Sequence, residues 1–217
     1  MRTVIAYLRM ATMIIILIVG CVIAVLSSFF PQKTGKVPFA NRVVRWIAKS
    51  FLLILNVKLE CPDRKRLKNH RGFIFPNHDS FLDIILPISI GPVRFLAKAE
   101  VKKMPFIGRL ATSVGTIFVD RSDQDSRDKA RQSLTKLDDY PPILIYPEGM
   151  IDGKPGLSPF RYGAFEIAKA NQMPYLLVAV LYDDFWNVRW KDEPMLKAVK
   201  RVAMKKRVNA KMIPLEM

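Results

Sequence analysis

Residues 11–30 carry no charged side chain, and this run limits the folds open to the chain. A helix of about 20 apolar residues is long enough to cross the roughly 30 Å hydrocarbon core of a bilayer. Pro31 ends the run. A cleaved signal peptide is the alternative, because basic residues precede the run and Ser27 and Ser28 provide small residues near its end. The run is longer than an ordinary signal core, so we expect a membrane helix.

A second apolar stretch, residues 39–57, has the pattern of an amphipathic helix. Its basic residues are Arg42, Arg45 and Lys49. The apolar face consists of Val43, Trp46, Ile47, Phe51, Leu52 and Leu55. We expect this helix to lie at the membrane interface. Basic residues flank the first run on both sides, so the positive-inside rule gives no clear orientation.

The chain has a formal net charge of +16, from 35 Lys and Arg against 19 Asp and Glu, which indicates an anionic partner. Many of these cations lie in the C-terminal part, from Lys197 to Lys211. Nucleic acid is one interpretation and a merely solubilising tail is another. Leu196, Val199 and Val202 at helical spacing, together with the apolar N-terminus, favour an anionic lipid surface, to which each nearby cation adds about 1 kcal/mol. No nucleic-acid partner is expected.

The two cysteines, Cys21 and Cys61, have no spacing typical of a metal site or a disulfide framework. A reduced domain that faces the cytoplasm is consistent with this, and no metal is expected.

Short apolar runs alternate with helical patterns along the middle of the chain, which predicts an α/β domain with a mixed central sheet flanked by helices. The predicted strands are residues 57–61, 72–75, 93–97, 116–119, 143–146 and 175–181. The predicted helices are residues 80–90, 101–111, 123–137 and 163–170. We divide the chain into membrane-anchoring helices (1–56), a catalytic α/β domain (57–190) and a basic C-terminal helix or tail (191–217).

His78 and Asp83 are five positions apart, just after the predicted strand 72–75. In one helix they would point about 140° apart. They can meet if His78 lies in the loop and Asp83 in the first helical turn, with Asn77, Asp79 or Ser80 as the N-cap. A histidine oriented by a carboxylate can take a proton from a hydroxyl group. The spacing therefore predicts His78 as a general base and Asp83 as its orienting residue. His70, in a predicted turn, is expected to be an ordinary surface residue.

Three further blocks follow in order. Residues 115–121 read Gly-Thr-Ile-Phe-Val-Asp-Arg, residues 146–149 read Tyr-Pro-Glu-Gly, and Pro174 opens an apolar strand. Residues 95–100, which include Lys98, and residues 159–164, which include Arg161, fit between and after them. With the His-x4-Asp block, this order resembles the glycerolipid acyltransferase family typified by 1-acylglycerol-3-phosphate acyltransferase. The likeness covers about residues 70–182.

The resemblance implies transfer of a fatty acyl group from acyl-CoA or acyl-carrier protein to a lysophospholipid hydroxyl, with 1-acylglycerol-3-phosphate as the first candidate acceptor. Neither a cofactor nor a metal is implied beyond the thioester co-substrate. The implied substrate-binding residues are Lys98, Gly115, Arg121, Glu148, Gly149 and Arg161. A two-helix hairpin dipping into one leaflet, with the active site facing the cytoplasm, is also implied.

The chain departs from the family pattern after Gly149, where Met150 and Ile151 replace the usual Thr-Arg. That arginine helps to hold the acceptor phosphate, so a different lysolipid is an alternative acceptor. Lys154 or Arg161 is a candidate for the second cation. A catalytically silent membrane-surface module is the alternative function.

For three of the site residues, a purely structural role is an alternative interpretation. Glu148 can cap a turn, Arg121 can form a surface ion pair, and Lys98 can be an ordinary solvated lysine.

Overall fold

The computed structural model describes residues 1–27, 37–136, 138–151 and 156–215. Its helices are α1 (Arg2–Ser27), α2 (Phe39–Ile54), α3 (Arg64–Asn69), α4 (Leu82–Ile90), α5 (Ala99–Lys103), α6 (Ile107–Ser113), α7 (Gln124–Lys136), α8 (Gly163–Ala170), α9 (Phe185–Val188) and α10 (Met195–Ala203). Its strands are β1 (Val57–Glu60), β2 (Phe73–Pro76), β3 (Arg94–Lys98), β4 (Ile117–Val119), β5 (Ile143–Leu144), β6 (Tyr175–Tyr182) and β7 (Val208–Pro214).

The seven strands form one sheet in the order β1-β7-β6-β2-β5-β3-β4. Strands β2 to β6 are parallel to one another, whereas β7 runs antiparallel to β6 and parallel to β1. The sheet is therefore mixed and flanked by helices, which confirms the predicted fold class. The carboxyl ends of the five parallel strands meet at one edge of the sheet, where α/β proteins usually bind ligands.

Strand β2 shows why the sheet is covered on both faces. All four of its residues are buried, and successive side chains point to opposite faces. Ile74 packs into a large core with α2, α4 and α10, while Phe73 and Phe75 pack with Leu134 of α7 and Ile167 of α8. This central strand is thus fixed from both sides, and so is the loop that follows it.

Helix α1 packs along the domain on one stripe of its surface. Its buried residues are Ala6, Met13 and Gly20, which are seven positions apart, together with Cys21 and Ala24 in the turn after Gly20. The other side exposes large apolar side chains. Within the described ranges, α1 is the one helix that is long and apolar enough to cross a membrane, judged by length and composition. It is a candidate for membrane association.

Polar contacts also tie α1 to the C-terminal helix. The Arg9 guanidinium donates to the carbonyl oxygens of Ala203 at 2.9 Å and Lys205 at 2.7 Å, which lie at the end of α10. The Lys200 ammonium donates to the Tyr7 hydroxyl at 2.7 Å. Carbonyls at a helix C-terminus lack partners within the helix, and Arg9 supplies one.

The structure corrects two predicted elements. The C-terminal part was predicted as a helix or tail, which holds for α10 and is wrong for β7, a strand inside the sheet. The predicted helix 101–111 is interrupted, because α5 ends before Pro105 and α6 begins after Phe106, whose φ is 60°. Proline removes a backbone donor and disfavours the helical conformation of the residue before it.

The predicted first helix, residues 11–30, begins earlier than expected, at Arg2. Its expected end at Pro31 lies outside the described residues.

Candidate active site

The chain leaves the sheet at Asn77, directly after β2. The Asn77 side chain accepts from the Val180 backbone N–H at 2.7 Å and donates to the Val180 carbonyl at 3.0 Å. The amide group thus forms one more rung of the β2–β6 ladder while the backbone is free to turn. His78 follows at the carboxyl edge of the sheet.

The structure brings His78 and Asp83 into contact. His78 Nδ1 lies 3.0 Å from Asp83 Oδ2, and the two side chains are 15% and 0% exposed. The His78 ring stacks on Tyr146, with 3.8 Å between ring centroids. Because the carboxylate accepts, Nδ1 carries the proton, and in the neutral ring Nε2 then keeps its lone pair. Among the described residues, Nε2 forms no hydrogen bond, so this nitrogen is free to contact a ligand.

Four donors surround the Asp83 carboxylate, of which the His78 ring is the first. Oδ2 also accepts from the backbone N–H groups of Asp79 at 2.6 Å and Ser80 at 2.7 Å, and Oδ1 accepts from the Tyr182 hydroxyl. The Tyr146 hydroxyl donates to the Asp83 backbone carbonyl at 2.8 Å. This satisfies the acceptor capacity of a buried carboxylate and fixes its orientation.

The start of α4 differs in detail from the expected N-cap. Phe81 occupies the cap position without a side-chain hydrogen bond, and the Ser80 hydroxyl accepts from the Leu82 N–H at 3.3 Å. Asp83, in the first turn, instead reaches back to the amides of the preceding loop.

Burial shifts the pKa values of three groups beside the His78–Asp83 pair. Burial, and secondarily the charge of Asp83, raises the pKa of Tyr146 and of Tyr182 well above 10. Desolvation raises the pKa of Asp79, and the charges of Asp83 and Glu148 add to this, whereas the hydrogen bond from Asn77 opposes it. Both tyrosines therefore stay protonated and remain donors at neutral pH.

Glu148 connects two loops. It is 6% exposed, and its carboxylate accepts from the His78 N–H at 2.9 Å and the Ser158 N–H at 3.1 Å. These contacts favour a structural role, in which Glu148 holds two loops together, over direct contact with a ligand. Glu148 therefore fixes the backbone of the candidate base itself.

Arg121 and Arg161 converge on Gly149. The Arg121 guanidinium donates to the Gly149 carbonyl, and the backbone N–H of Arg161 donates to the Pro147 carbonyl at 2.8 Å. Gly149 has φ +79°, and a Cβ there would lie 2.9 Å from Arg161 Nε and 3.0 Å from Arg121 Nη1. Burial, and then the charge of Arg161, lowers the pKa of Arg121. Glycine is needed at this turn, and two like charges are held together beside it.

Two other predicted substrate-binding residues are not brought to His78. Lys98 ends β3 at the same edge, is exposed, and lies two strands from β2, roughly 10 Å away. Gly115 precedes β4 and so lies at the opposite edge, where a Cβ would meet the Arg94 side chain at 3.3 Å. Its φ of +80° accounts for the glycine at this position, and its role as a substrate contact stays a prediction. Lys154 lies outside the described residues.

His70 is not a plain surface residue. Its Nε2 lies 2.8 Å from the Phe73 carbonyl oxygen, and desolvation by burial lowers its pKa. The described part of the chain contains no group of three or more His, Cys, Asp or Glu residues that could hold a metal ion.

Sequence reasoning missed Tyr182 as a support of the site, and it named Ser80 and Asn77 only as possible N-caps. Tyr182 is the last residue of β6 and follows its alternating buried positions, which is the signal that could have placed it beside the site. The Ser80 hydroxyl donates to the Val188 carbonyl at 3.0 Å. The local sequence does not predict this contact.

Most residues of this site lie in the part of the chain that is similar to known proteins. Residues 58–181 match the model of the family described as Acyltransferase. The chain is 29% identical over 146 residues to a 1-acyl-sn-glycerol-3-phosphate acyltransferase of Neisseria gonorrhoeae, which covers 66% of this chain and 57% of that protein. It is 29% identical over 137 residues to a lyso-ornithine lipid O-acyltransferase of Rhodobacter capsulatus, covering 62% and 48%. The matched parts thus span about half the length of these relatives.

The fold is also similar to the crystal structure of the 1-acyl-sn-glycerophosphate acyltransferase PlsC from Thermotoga maritima. The TM-score is 0.72 at 19% identity, with 99% of this chain and 87% of that chain covered. At this identity the likeness concerns the fold alone. The family match includes the His78–Asp83 pair and the Glu148–Gly149 turn, and it spans more than half of the chain. The chain therefore belongs to the acyltransferase family.

Proposed function

We propose that the protein transfers a fatty acyl group from a thioester to the free hydroxyl of a lysophospholipid, with His78 as the general base. One observation carries the proposal: Asp83 fixes the Nδ1 side of His78, and Nε2 remains available. An alcohol is a poor nucleophile at neutral pH until a base takes its proton. The buried carboxylate supports the imidazolium that then forms.

The proposed reaction has two steps. The acceptor oxygen attacks the thioester carbonyl as His78 Nε2 takes the hydroxyl proton, which gives a tetrahedral oxyanion. The oxyanion then collapses, the C–S bond breaks, and the thiolate leaves with the proton from His78. The products are an ester and a free thiol, from either acyl-CoA or acyl-carrier protein. No covalent acyl-enzyme is needed.

Lys98 is the proposed oxyanion donor. The backbone of the Glu148–Gly149 turn is the alternative donor, but the Gly149 N–H already donates to the Tyr146 carbonyl at 3.0 Å. Lys98 is exposed at the correct edge of the sheet, and its long side chain can reach toward a bound thioester. A correctly aimed donor contributes about 3–4 kcal/mol.

Arg121 and Arg161 are the proposed site for the anionic head group of the acceptor. Both side chains lie at Gly149, and a bound anion would relieve the repulsion between their charges. This supports 1-acylglycerol-3-phosphate as the acceptor although Ile151 replaces the family arginine. Lyso-ornithine lipid is the second candidate, because a relative of similar identity carries that name.

Membrane association, with the active site facing the cytoplasm, completes the proposal. The buried stripe of α1 faces the domain, and residues such as Ile15, Val22 and Leu26 are exposed on its other side. A helix covered on one side along its length is suited to lie in one leaflet. The net charge of +16 favours an anionic surface.

Purified protein in anionic vesicles tests the proposal with three lysolipids (lysophosphatidate, lyso-ornithine lipid and lysophosphatidylcholine) and both thioester donors. We expect acyl transfer for at least one pair, and a fall in kcat of about 10²- to 10⁴-fold in His78→Ala. His70→Gln, the control matched in residue type, should keep the wild-type rate. Equal product from His78→Ala and wild type with every pair would show that the mechanism is wrong.

A further inference from the structure

The segment of residues 187–190 lies against the catalytic loop. The Val188 carbonyl accepts from the Ser80 hydroxyl at 3.0 Å, and the Trp190 N–H donates to the Asp79 carbonyl at 2.8 Å. The segment comes after the residues that match the family model, which end at 181. A part of the chain outside the matched region therefore supports the site.

The two residues held by this segment are also the residues that hold Asp83. The N–H groups of Asp79 and Ser80 both donate to Asp83 Oδ2, the oxygen that contacts His78 Nδ1. A shift of residues 187–190 would therefore move the backbone that fixes this oxygen, and the orientation of the imidazole with it.

One side chain, Arg201 of α10, fixes residues 187–190 in turn. Its guanidinium donates to the Asn187 carbonyl, to the Arg189 carbonyl at 2.8 Å and to the Glu193 carboxylate. The Arg201 and Glu193 side chains are only 20% and 10% exposed. A planar guanidinium can serve three acceptors at once with fixed geometry, which a lysine ammonium does not reproduce.

We infer that Arg201 is a positioning residue for His78, acting through residues 187–190 and then Asp79 and Ser80. The inference rests on the proposed function for its kinetic consequence, and on the contacts alone for its structural one. Arg201 touches neither His78 nor Asp83. Substitution of Arg201 should lower the rate of proton transfer and leave substrate affinity unchanged. The reacting groups would lose their alignment while the binding residues stay in place.

Hydrogen exchange on the full chain tests the structural part. In Arg201→Met, the amides of Asp79 and Ser80 should exchange about tenfold faster or more, because the loop opens locally. Arg131→Met is the control: Arg131 is an exposed arginine of α7, the helix that packs with the Phe73–Phe75 side of the sheet. It should leave these amides unchanged. Equal exchange in wild type and a folded Arg201→Met would overturn the inference.

Steady-state kinetics test the catalytic part. We expect Arg201→Met to lower kcat about 10- to 100-fold while KM for both substrates stays within about twofold. Ser80→Ala removes the hydrogen bond between the catalytic loop and Val188, and so breaks the same connection at its other end. If Arg201→Met does not fold, the kinetics of Ser80→Ala test the inference instead. If the two act through one path, the double variant should be no slower than the worse single variant. Multiplying losses, or a rise in KM alone, would contradict the inference.

These outcomes separate the inference from the proposed function. A wild-type protein that transfers no acyl group contradicts the proposed function, and the exchange experiment still decides the role of Arg201. An active wild type with an unaffected Arg201→Met contradicts only the inference.

Discussion

The carboxylate of Asp83 holds the His78 ring, two backbone amides and the Tyr182 hydroxyl in a single buried place. The His78–Asp83 contact was predictable because both residues belong to one short segment, where loop and helix geometry decide what can meet. Tyr182 is 99 residues from Asp83 in sequence. Its contact depends on the placement of β6 beside β2, which no local pattern specifies.

Tyr182→Phe should lower the free energy of unfolding and change how this free energy depends on pH above 10. The raised pKa of Tyr182 means that the folded state resists its ionisation. Its stabilising effect is full below pH 10 and is lost as the pH rises toward the folded pKa, because only the unfolded chain ionises there. We expect the free energy of unfolding to fall less steeply in Tyr182→Phe above pH 10, by about 1.4 kcal/mol per pH unit.

Denaturant unfolding between pH 7 and 11 measures this difference. At pH 7 the variant should also be about 1–3 kcal/mol less stable, because Asp83 Oδ1 loses its donor in a buried site. Identical slopes for wild type and variant would show that Tyr182 ionises alike in both states.

At the scale of elements, α1 and α2 depend on one small residue. A Cβ on Gly20 would lie 2.3 Å from Ile47 Cδ1, and Ile47 is itself buried. Gly20→Leu should therefore push the helices apart and lower stability by about 1–3 kcal/mol. Thermal unfolding measures the loss, and flotation with anionic vesicles reports whether the pair still binds lipid.

Val19→Leu is the matched control, because Val19 is exposed on α1. It should leave the unfolding temperature unchanged. A Gly20→Leu protein as stable as this control would mean that the two helices are not closely packed.

Element boundaries show where sequence reasoning reaches its limit. The apolar spacing of Leu196, Val199 and Val202 correctly indicated a helix. Residues 208–214 alternate buried and partly exposed positions, yet Lys211 among them made this segment look like a continuation of the basic tail. The period-two alternation was present, but its burial depends on β1 and β6 lying on either side.

At the scale of the molecule, β7 joins the first strand to the rest of the sheet. It pairs with β1 through four residue pairs and with β6 through five. Removal of residues 205–217 should therefore abolish cooperative unfolding, whereas a dispensable tail would leave it intact. Circular dichroism and limited proteolysis measure the outcome.

Lys211→Gln is the control for this truncation. Lys211 pairs with Glu60 at 2.8 Å on the surface, and an exposed ion pair contributes only about 0–1 kcal/mol. The substitution should leave the fold and the unfolding transition nearly unchanged. A truncated protein that still unfolds cooperatively would show that β1 does not need β7.

The hydrogen bond from Arg9 to Ala203 joins residues 194 positions apart. During synthesis, α1 therefore leaves the ribosome long before the helix that will cover part of it has been made. The apolar face of α1 therefore stays exposed for most of translation. A contact between residues so far apart in sequence also forms slowly. A nearby bilayer would cover that apolar face in the meantime. The order of the elements along the chain therefore favours binding of α1 to the membrane before the catalytic centre is complete.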